Sequence, residues 1–257
     1  MRINWKSFIP YGIVIILFVF ATFYDYEINM RMAHVLNGFD IFMERFAILP
    51  LIILMVLCFQ LYYQEQQKIL FQLLSMVLAL YAGFDTMHYW NDGLSFYVSS
   101  IVLAMILWMI VSLITKVIPF AHRKQLAYWL MYFTMVLLLS MLVTSILKCL
   151  WGRIRFRDGA GIIDFTPWYL PQGINGHQSF PSGHTTAWSA ILCFTNISKH
   201  RPLLWRQTLL LYGFIILMPL TRMSCGAHYL SDTLMGFSIT YTIFLWMSVI
   251  YKKRRLL

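Results

Sequence analysis

Apolar runs of membrane-spanning length dominate this chain. They lie near residues 8–24, 46–63, 69–84, 98–119, 127–149, 185–198, 207–221 and 229–250, each bounded by charges or turn residues. A helix needs about 20 apolar residues to cross a hydrocarbon core of about 30 Å, and inside a bilayer only helices or closed barrels satisfy their own backbone polar groups. The expected fold is therefore all-α, a polytopic transmembrane helix bundle of about eight spans. Composition agrees: 60% of the 257 residues are hydrophobic and 12% charged, against about a quarter charged in soluble domains. The first run follows Arg2 and Lys6 as a signal peptide would, but no small-residue cleavage site follows it. It reads as a retained helix.

Charge placement sets the expected orientation, because Lys and Arg collect in cytoplasmic connections. With the N-terminus inside, inner segments carry Lys68, Arg123, Lys124, Lys199, Arg201, Arg206 and the run Lys252 to Arg255. Outer segments hold Asp25, Glu27, Asp40, Glu44, Asp85, Asp92, Asp158 and Asp164. Both termini are then cytoplasmic, and the protein is expected in the cytoplasmic membrane. One outer connection, residues 150–184, breaks the trend by crowding Arg153, Arg155 and Arg157 together. Of these, Arg153 and Arg157 read either as headgroup contacts or as solvated side chains. Trp151, Trp168 and Tyr169 read as interfacial belt aromatics, and residues 25–45 as a place for a short interfacial amphipathic helix. The net charge of +10 does not form the basic, aromatic-laced face that nucleic acid requires. Cysteines 58, 149, 193 and 225 stand singly, with neither a disulfide framework nor a zinc spacing. Cys149 and Cys225 fall near one expected membrane face, where a pairing is open, though the unpaired reading is favoured.

Three pieces of sequence carry chemistry, each at an expected outer membrane boundary. The first is Lys148 with Arg155, the second Phe180-Pro181-Ser182-Gly183-His184, and the third Thr221-Arg222 with His228 and Asp232. Together they resemble the three-part signature of the type 2 phosphatidic acid phosphatase superfamily, membrane lipid phosphatases related in fold to vanadium haloperoxidases. The resemblance covers roughly residues 127–250. Phe156 stands where that pattern usually has proline, and Thr221 where it has serine; neither change removes a reactive group. On this reading residues 127–257 are a phosphatase core and residues 1–126 are N-terminal transmembrane helices without a recognised motif.

The residue types support the same chemistry without the family. Phosphoryl transfer spreads negative charge over equatorial oxygens, so catalysis is mostly positioning and electrostatic stabilisation. Lys148, Arg155 and Arg222 supply cations, Ser182 a hydroxyl, and the backbone at Ser182, Gly183 and His184 further donors at a helix start. His228 and Asp232 are four apart, a spacing that places both on one helix face. A carboxylate there would fix the imidazole tautomer and leave the other nitrogen to attack phosphorus. His184 would act as general acid and then general base. The resemblance assigns the same roles to His184, His228 and Asp232 and implies that neither metal nor other cofactor is needed.

The expected function is hydrolysis of a lipid phosphate or pyrophosphate at the outer face, through a phosphohistidine. Undecaprenyl pyrophosphate or phosphatidylglycerol phosphate are the favoured substrates. A phosphotransferase and a non-catalytic phospholipid-binding protein are the alternatives. The partners expected are a phosphorylated membrane lipid and the bilayer, with no nucleic acid. His34, His88 and His177 read as ordinary loop residues.

Overall fold

A computed structural model of the chain describes residues 5–90, 92–159, 164–196 and 204–254. Arg2, Lys199, Arg201 and Arg255 of the charge pattern, and the last two residues of the expected span 185–198, lie outside these. The described residues form nine α-helices and no strand: α1 (Ile9–Met32), α2 (Phe39–Phe46), α3 (Leu49–Gln66), α4 (Ile69–Met87), α5 (Gly93–Val117), α6 (Phe120–Trp151), α7 (Gly183–Ser189), α8 (Trp205–Ser224) and α9 (Leu230–Arg254). Among the described residues six stretches are long and apolar enough to cross a membrane: Ile9–Met32, Phe39–Gln66, Ile69–Met87, Gly93–Val117, Phe120–Asp158 and Leu230–Tyr251. The architecture is that of a multi-pass membrane protein.

The stretches expected as the sixth and seventh spans are not among these six, for reasons of local sequence. The sixth expected span is α7 followed by a 3-10 turn, Ala190–Asn196. The seventh is α8, 20 residues long with Pro219 inside it; Arg206, Gln207 and Arg222 dilute its apolar character.

The chain divides into two compact units, Arg45–Met135 and Met1–Glu44 with Val136–Leu257. In the first, α3, α4 and α5 enclose a core of Ile52, Val56, Ala79, Ala82, Ala104 and Val111. Small residues let these helices approach closely, as lipid-embedded helices require. A Cβ on Gly83 would collide with the Ser100 carbonyl across the α4–α5 contact. Ser75 sits within the packing and accepts hydrogen bonds from Gln60 Nε2 (3.3 Å) and Trp108 Nε1 (3.0 Å).

The second unit brings α1 against α9, and α7 against both α8 and α9. Helix α1 runs eight residues past the expected end of its span, because Asp25 and Asn29 continue the buried face of Val14 and Ala21 instead of meeting water. Gly236 on α9 lies under the start of α7; a Cβ there would stand 2.6 Å from the Ser182 carbonyl oxygen and 2.9 Å from Thr186 Oγ1. Buried hydroxyls complete the contact, with Thr240 Oγ1 donating to the Thr186 carbonyl at 2.9 Å and Thr144 Oγ1 3.0 Å from Thr186 Oγ1. The connection from α1 to α2 is tied to the end of α8. The Ser224 carbonyl accepts from His34 N–H (2.7 Å), and its hydroxyl oxygen accepts from Leu36 N–H (2.9 Å) while donating to Asp40 (2.7 Å). Helix α2 is the short amphipathic helix expected in this region. It buries Asp40 and Met43 and exposes Phe39, Ile41 and Phe42.

Candidate active site

The first motif spans the end of α6 and the loop after it. Lys148 occupies the last turn of α6 and donates from Nζ to the Gln178 carbonyl at 2.6 Å. Gly152 then turns the chain at φ +60°, a conformation suited to glycine, and its Cβ position is blocked by the Gly173 carbonyl. Cross-links fix the loop's return: Gln172 N–H to the Trp151 carbonyl (2.7 Å), Asn175 Nδ2 to the Gly152 carbonyl (2.7 Å) and Ser179 N–H to the Arg153 carbonyl (2.9 Å). Trp151 and Trp168 belong to this scaffold. Trp151 Nε1 donates to the Trp168 carbonyl at 2.6 Å and its ring stacks on Phe180 at 4.7 Å, while Trp168 Nε1 donates to Thr22 Oγ1 at 3.1 Å. They brace the loop, whereas Tyr169 is exposed.

In the second motif Ser182 caps α7 and is fully buried. Its hydroxyl oxygen accepts from Thr185 Oγ1 at 3.0 Å, and its own N–H donates to the Asp232 carbonyl at 2.9 Å. That N–H, expected among the phosphate donors, is therefore already engaged. His184 is half-buried and donates from Nε2 to the Glu44 carbonyl at 3.2 Å, since a carbonyl can only accept.

The third motif departs most from expectation. His228 precedes α9 and is not helical; Asp232 lies in the first turn. Its Oδ2 reaches back to Tyr229 N–H at 2.9 Å, the role that an acid or amide three residues into a helix takes in a capping box. Asp232 also accepts from Ser179 Oγ (2.6 Å) and Arg153 Nη1 (2.6 Å). His228 Nδ1 is 3.6 Å from Asp232, too far for a hydrogen bond, and donates to the Ser179 carbonyl at 2.7 Å. The imidazole thus carries its proton on Nδ1 and leaves Nε2 free, but a backbone carbonyl fixes that tautomer. Asp232 acts one bond further out, through Ser179.

Arg153 is neither solvated nor a surface lipid contact. It is 1% exposed and lies between two carboxylates, Asp25 at 2.8 Å and Asp232 at 2.6 Å. It also donates to Ser231 Oγ (2.8 Å) and the Thr166 carbonyl (2.9 Å), with its guanidinium carbon 4.1 Å from the Tyr229 ring centre. Asp25 in turn accepts from the Ser231 hydroxyl at 2.6 Å and its N–H at 3.1 Å. Buried charges persist when paired and hydrogen-bonded, and each of these three charges is.

A carboxylate also stands among the cations expected to hold phosphate. Glu44 accepts from Arg222 Nη2 at 3.0 Å and from Arg157 Nη1 at 2.8 Å, so Arg157 is likewise paired. Its backbone N–H donates to the Gly226 carbonyl at 2.9 Å. Buried donors remain without an acceptor: Arg155 Nε, Arg222 Nε and Arg222 Nη1. Such groups cost about 1–3 kcal/mol each when left unsatisfied, and three on two guanidinium groups suit an anion. Among the described residues no group of three or more His, Cys, Asp or Glu converges as a metal site needs. Burial, together with the Lys148 and Arg222 cations, holds the His228 imidazole at about 3 despite the opposing Asp232. Burial, then Arg222 and His228, lowers His184 well below its ordinary value. Both imidazoles are neutral at neutral pH.

The structure joins Lys148, Arg155, Ser182, Gly183, His184, Arg222, His228 and Asp232 within one unit. Asp25, Glu44 and Ser179 extend the set beyond the motifs. Only the Arg cluster of the 150–184 connection, out of place in a segment expected on the outer side, signalled them in the sequence. Cys149 and Cys225 are unpaired, the first exposed and the second buried. The imidazoles of His34 and His177 are exposed.

No curated protein and no solved structure matches the chain. The family model described as the PAP2 superfamily matches residues 129–256, and over these residues the chain belongs to the PAP2 superfamily, the family its three motifs resemble.

Proposed function

We propose that this protein hydrolyses a phosphate or pyrophosphate group on a membrane lipid by way of a phosphohistidine at His228. The superfamily supports phosphatase activity on phosphorylated lipids. The observation that carries the mechanism is a neutral His228 with Nδ1 bound to the Ser179 carbonyl, beside guanidinium donors that lack an acceptor.

The phosphoryl oxygens take those free donors on Arg155 and Arg222, with Lys148 adding charge. Nε2 of His228 attacks phosphorus, a P–N bond forms and the bond to the leaving oxygen breaks. A bound phosphate raises the proton affinity of His184, because a nearby anion favours the charged imidazolium. His184 then gives a proton to the leaving oxygen. In the second half a water attacks phosphorus, His184 takes its proton, and the P–N bond breaks to release phosphate. The Asp232–Ser179 pair steadies the carbonyl that orients His228.

The favoured substrates are undecaprenyl pyrophosphate and phosphatidylglycerol phosphate, met at the outer face of the cytoplasmic membrane with both termini inside. Helices at the site support a lipid, whose tail stays in the bilayer while its headgroup reaches the cradle. His228→Ala is expected to abolish phosphate release by detergent-purified protein in the presence of a chelator. Phosphate release at the unsubstituted rate would refute the mechanism.

A further inference from the structure

Glu44 reaches the site from outside the family-matched residues 129–256, and it does so by two routes. Its backbone carbonyl accepts from His184 Nε2 at 3.2 Å. Its carboxylate accepts from Arg222 Nη2 at 3.0 Å and, through both oxygens, from Arg157 Nη1 at 2.8 Å. Hydrogen bonds on both sides fix this placement. Asp40, one helical turn earlier on the same face of α2, accepts from the Ser224 hydroxyl at 2.7 Å, and Ser224 lies two residues beyond Arg222. Arg157 is held in turn by its N–H bond of 2.9 Å to the Gly226 carbonyl. The Glu44 side chain is 14% exposed, so its charge is only partly screened by water and salt.

We infer that Glu44 is a specificity-determining residue: it disfavours a leaving group that stays anionic, and so selects a lipid phosphomonoester over a lipid pyrophosphate. The inference rests on the phosphatase reading above and narrows it from phosphate or pyrophosphate to phosphate. In that reaction the P–N bond to His228 forms, the P–O bond breaks with its electron pair going to the leaving oxygen, and His184 protonates that oxygen. The leaving group therefore departs beside His184, whose ring is bonded to Glu44. From a monoester it leaves as an uncharged alcohol. From a pyrophosphate it leaves as a lipid monophosphate, whose remaining oxygens keep negative charge beside the carboxylate. Juxtaposed like charges disfavour such a ligand. Arg157, which could otherwise neutralise a second phosphate, spends Nη1 on both Glu44 oxygens. The free donors on Arg155 and Arg222 serve the phosphoryl group being transferred.

The test measures initial phosphate release by the full chain from two pairs of lipids, each pair sharing one tail. Farnesyl monophosphate is set against farnesyl diphosphate, and dioleoyl phosphatidic acid against dioleoylglycerol pyrophosphate, all in mixed micelles. The monoester-to-pyrophosphate ratio of kcat/KM within a pair is independent of any preference for the tail. The unsubstituted protein is expected to favour the monoester by about tenfold or more, the size of one like-charge contact in a partly hydrated site. Glu44→Gln and Glu44→Ala, two neutral variants of different size, should each bring the ratio near parity, whereas Glu44→Asp should keep most of it. A carboxylate that merely braced Arg222 and Arg157 would slow both members of a pair alike on removal and leave the ratio where it was. The assignment is overturned by that result, by an unsubstituted protein that is indifferent or prefers the pyrophosphate, or by a Glu44→Asp ratio that falls as far as that of Glu44→Gln. Absence of phosphate release by the unsubstituted protein from all four lipids would instead overturn the phosphatase reading.

Discussion

Arg153 carries the heaviest electrostatic duty of any residue in the site, because it separates Asp25 from Asp232 in the protein interior. Removing one partner of a buried ion pair costs about 3–5 kcal/mol. Arg153→Gln should therefore lower the unfolding midpoint sharply, and Arg153→Lys should not restore it, since one ammonium cannot present the fork that reaches both carboxylates. Asp25→Asn retains the shape and lessens the loss, which thermal unfolding in detergent would show. His228 imposes a pH dependence of its own. Its folded value of about 3 lies below the unfolded 6.5, so the unfolded chain binds the extra proton in that window. Stability is thus complete above about pH 6.5 and falls as pH drops toward 3, by at most about 1.4 kcal/mol per pH unit from this group. In His228→Asn that slope should flatten. At this scale the sequence was legible for the motif residues, which the structure gathers in one unit. Asp25 and Glu44 were not legible, since their partners lie 128 and 178 residues away, and local spacing carries no record of such pairing.

Among the elements, α7 and α9 place the chemistry, and Gly236 governs how they meet. Gly236→Ala would put a methyl 2.6 Å from a backbone carbonyl that cannot rotate away. Overpacking of this kind costs about 1–3 kcal/mol, and the shift falls on Ser182 and His184. The variant should fold, with a lower unfolding midpoint, and lose kcat more than it changes KM. A kcat equal to that of the unsubstituted protein would mean that the α7–α9 approach does not position the acid. Helical character, and the start of α9 to within a residue, were readable from the apolar run 229–250, whereas the place of His228 just outside that helix was not. The four-residue spacing of His228 and Asp232 suggested one helical face, yet the capping bond from Asp232 to Tyr229 N–H begins the helix after His228.

For the whole molecule, the unit that carries the motifs also contains residues 1–44, which no motif announced. A chain reduced to the family-matched residues 129–256 lacks Asp25 and Glu44, leaving Arg153 with one carboxylate and Arg222 with none. That fragment should show no phosphate release even where it inserts into membranes. The bilayer itself was plain from apolar content, while the sixth and seventh expected spans fall short because α7 is a short helix and Arg206, Gln207 and Arg222 dilute α8. The claim that joins these scales is that His228 forms a covalent bond to phosphorus. Rapid acid-free quenching of the protein with a lipid phosphate, followed by mass spectrometry of the peptide bearing residue 228, tests it directly. The account predicts a phosphoryl group on His228 that is acid-labile and absent from His228→Ala; turnover with no such adduct, or with phosphate on another residue, would contradict it.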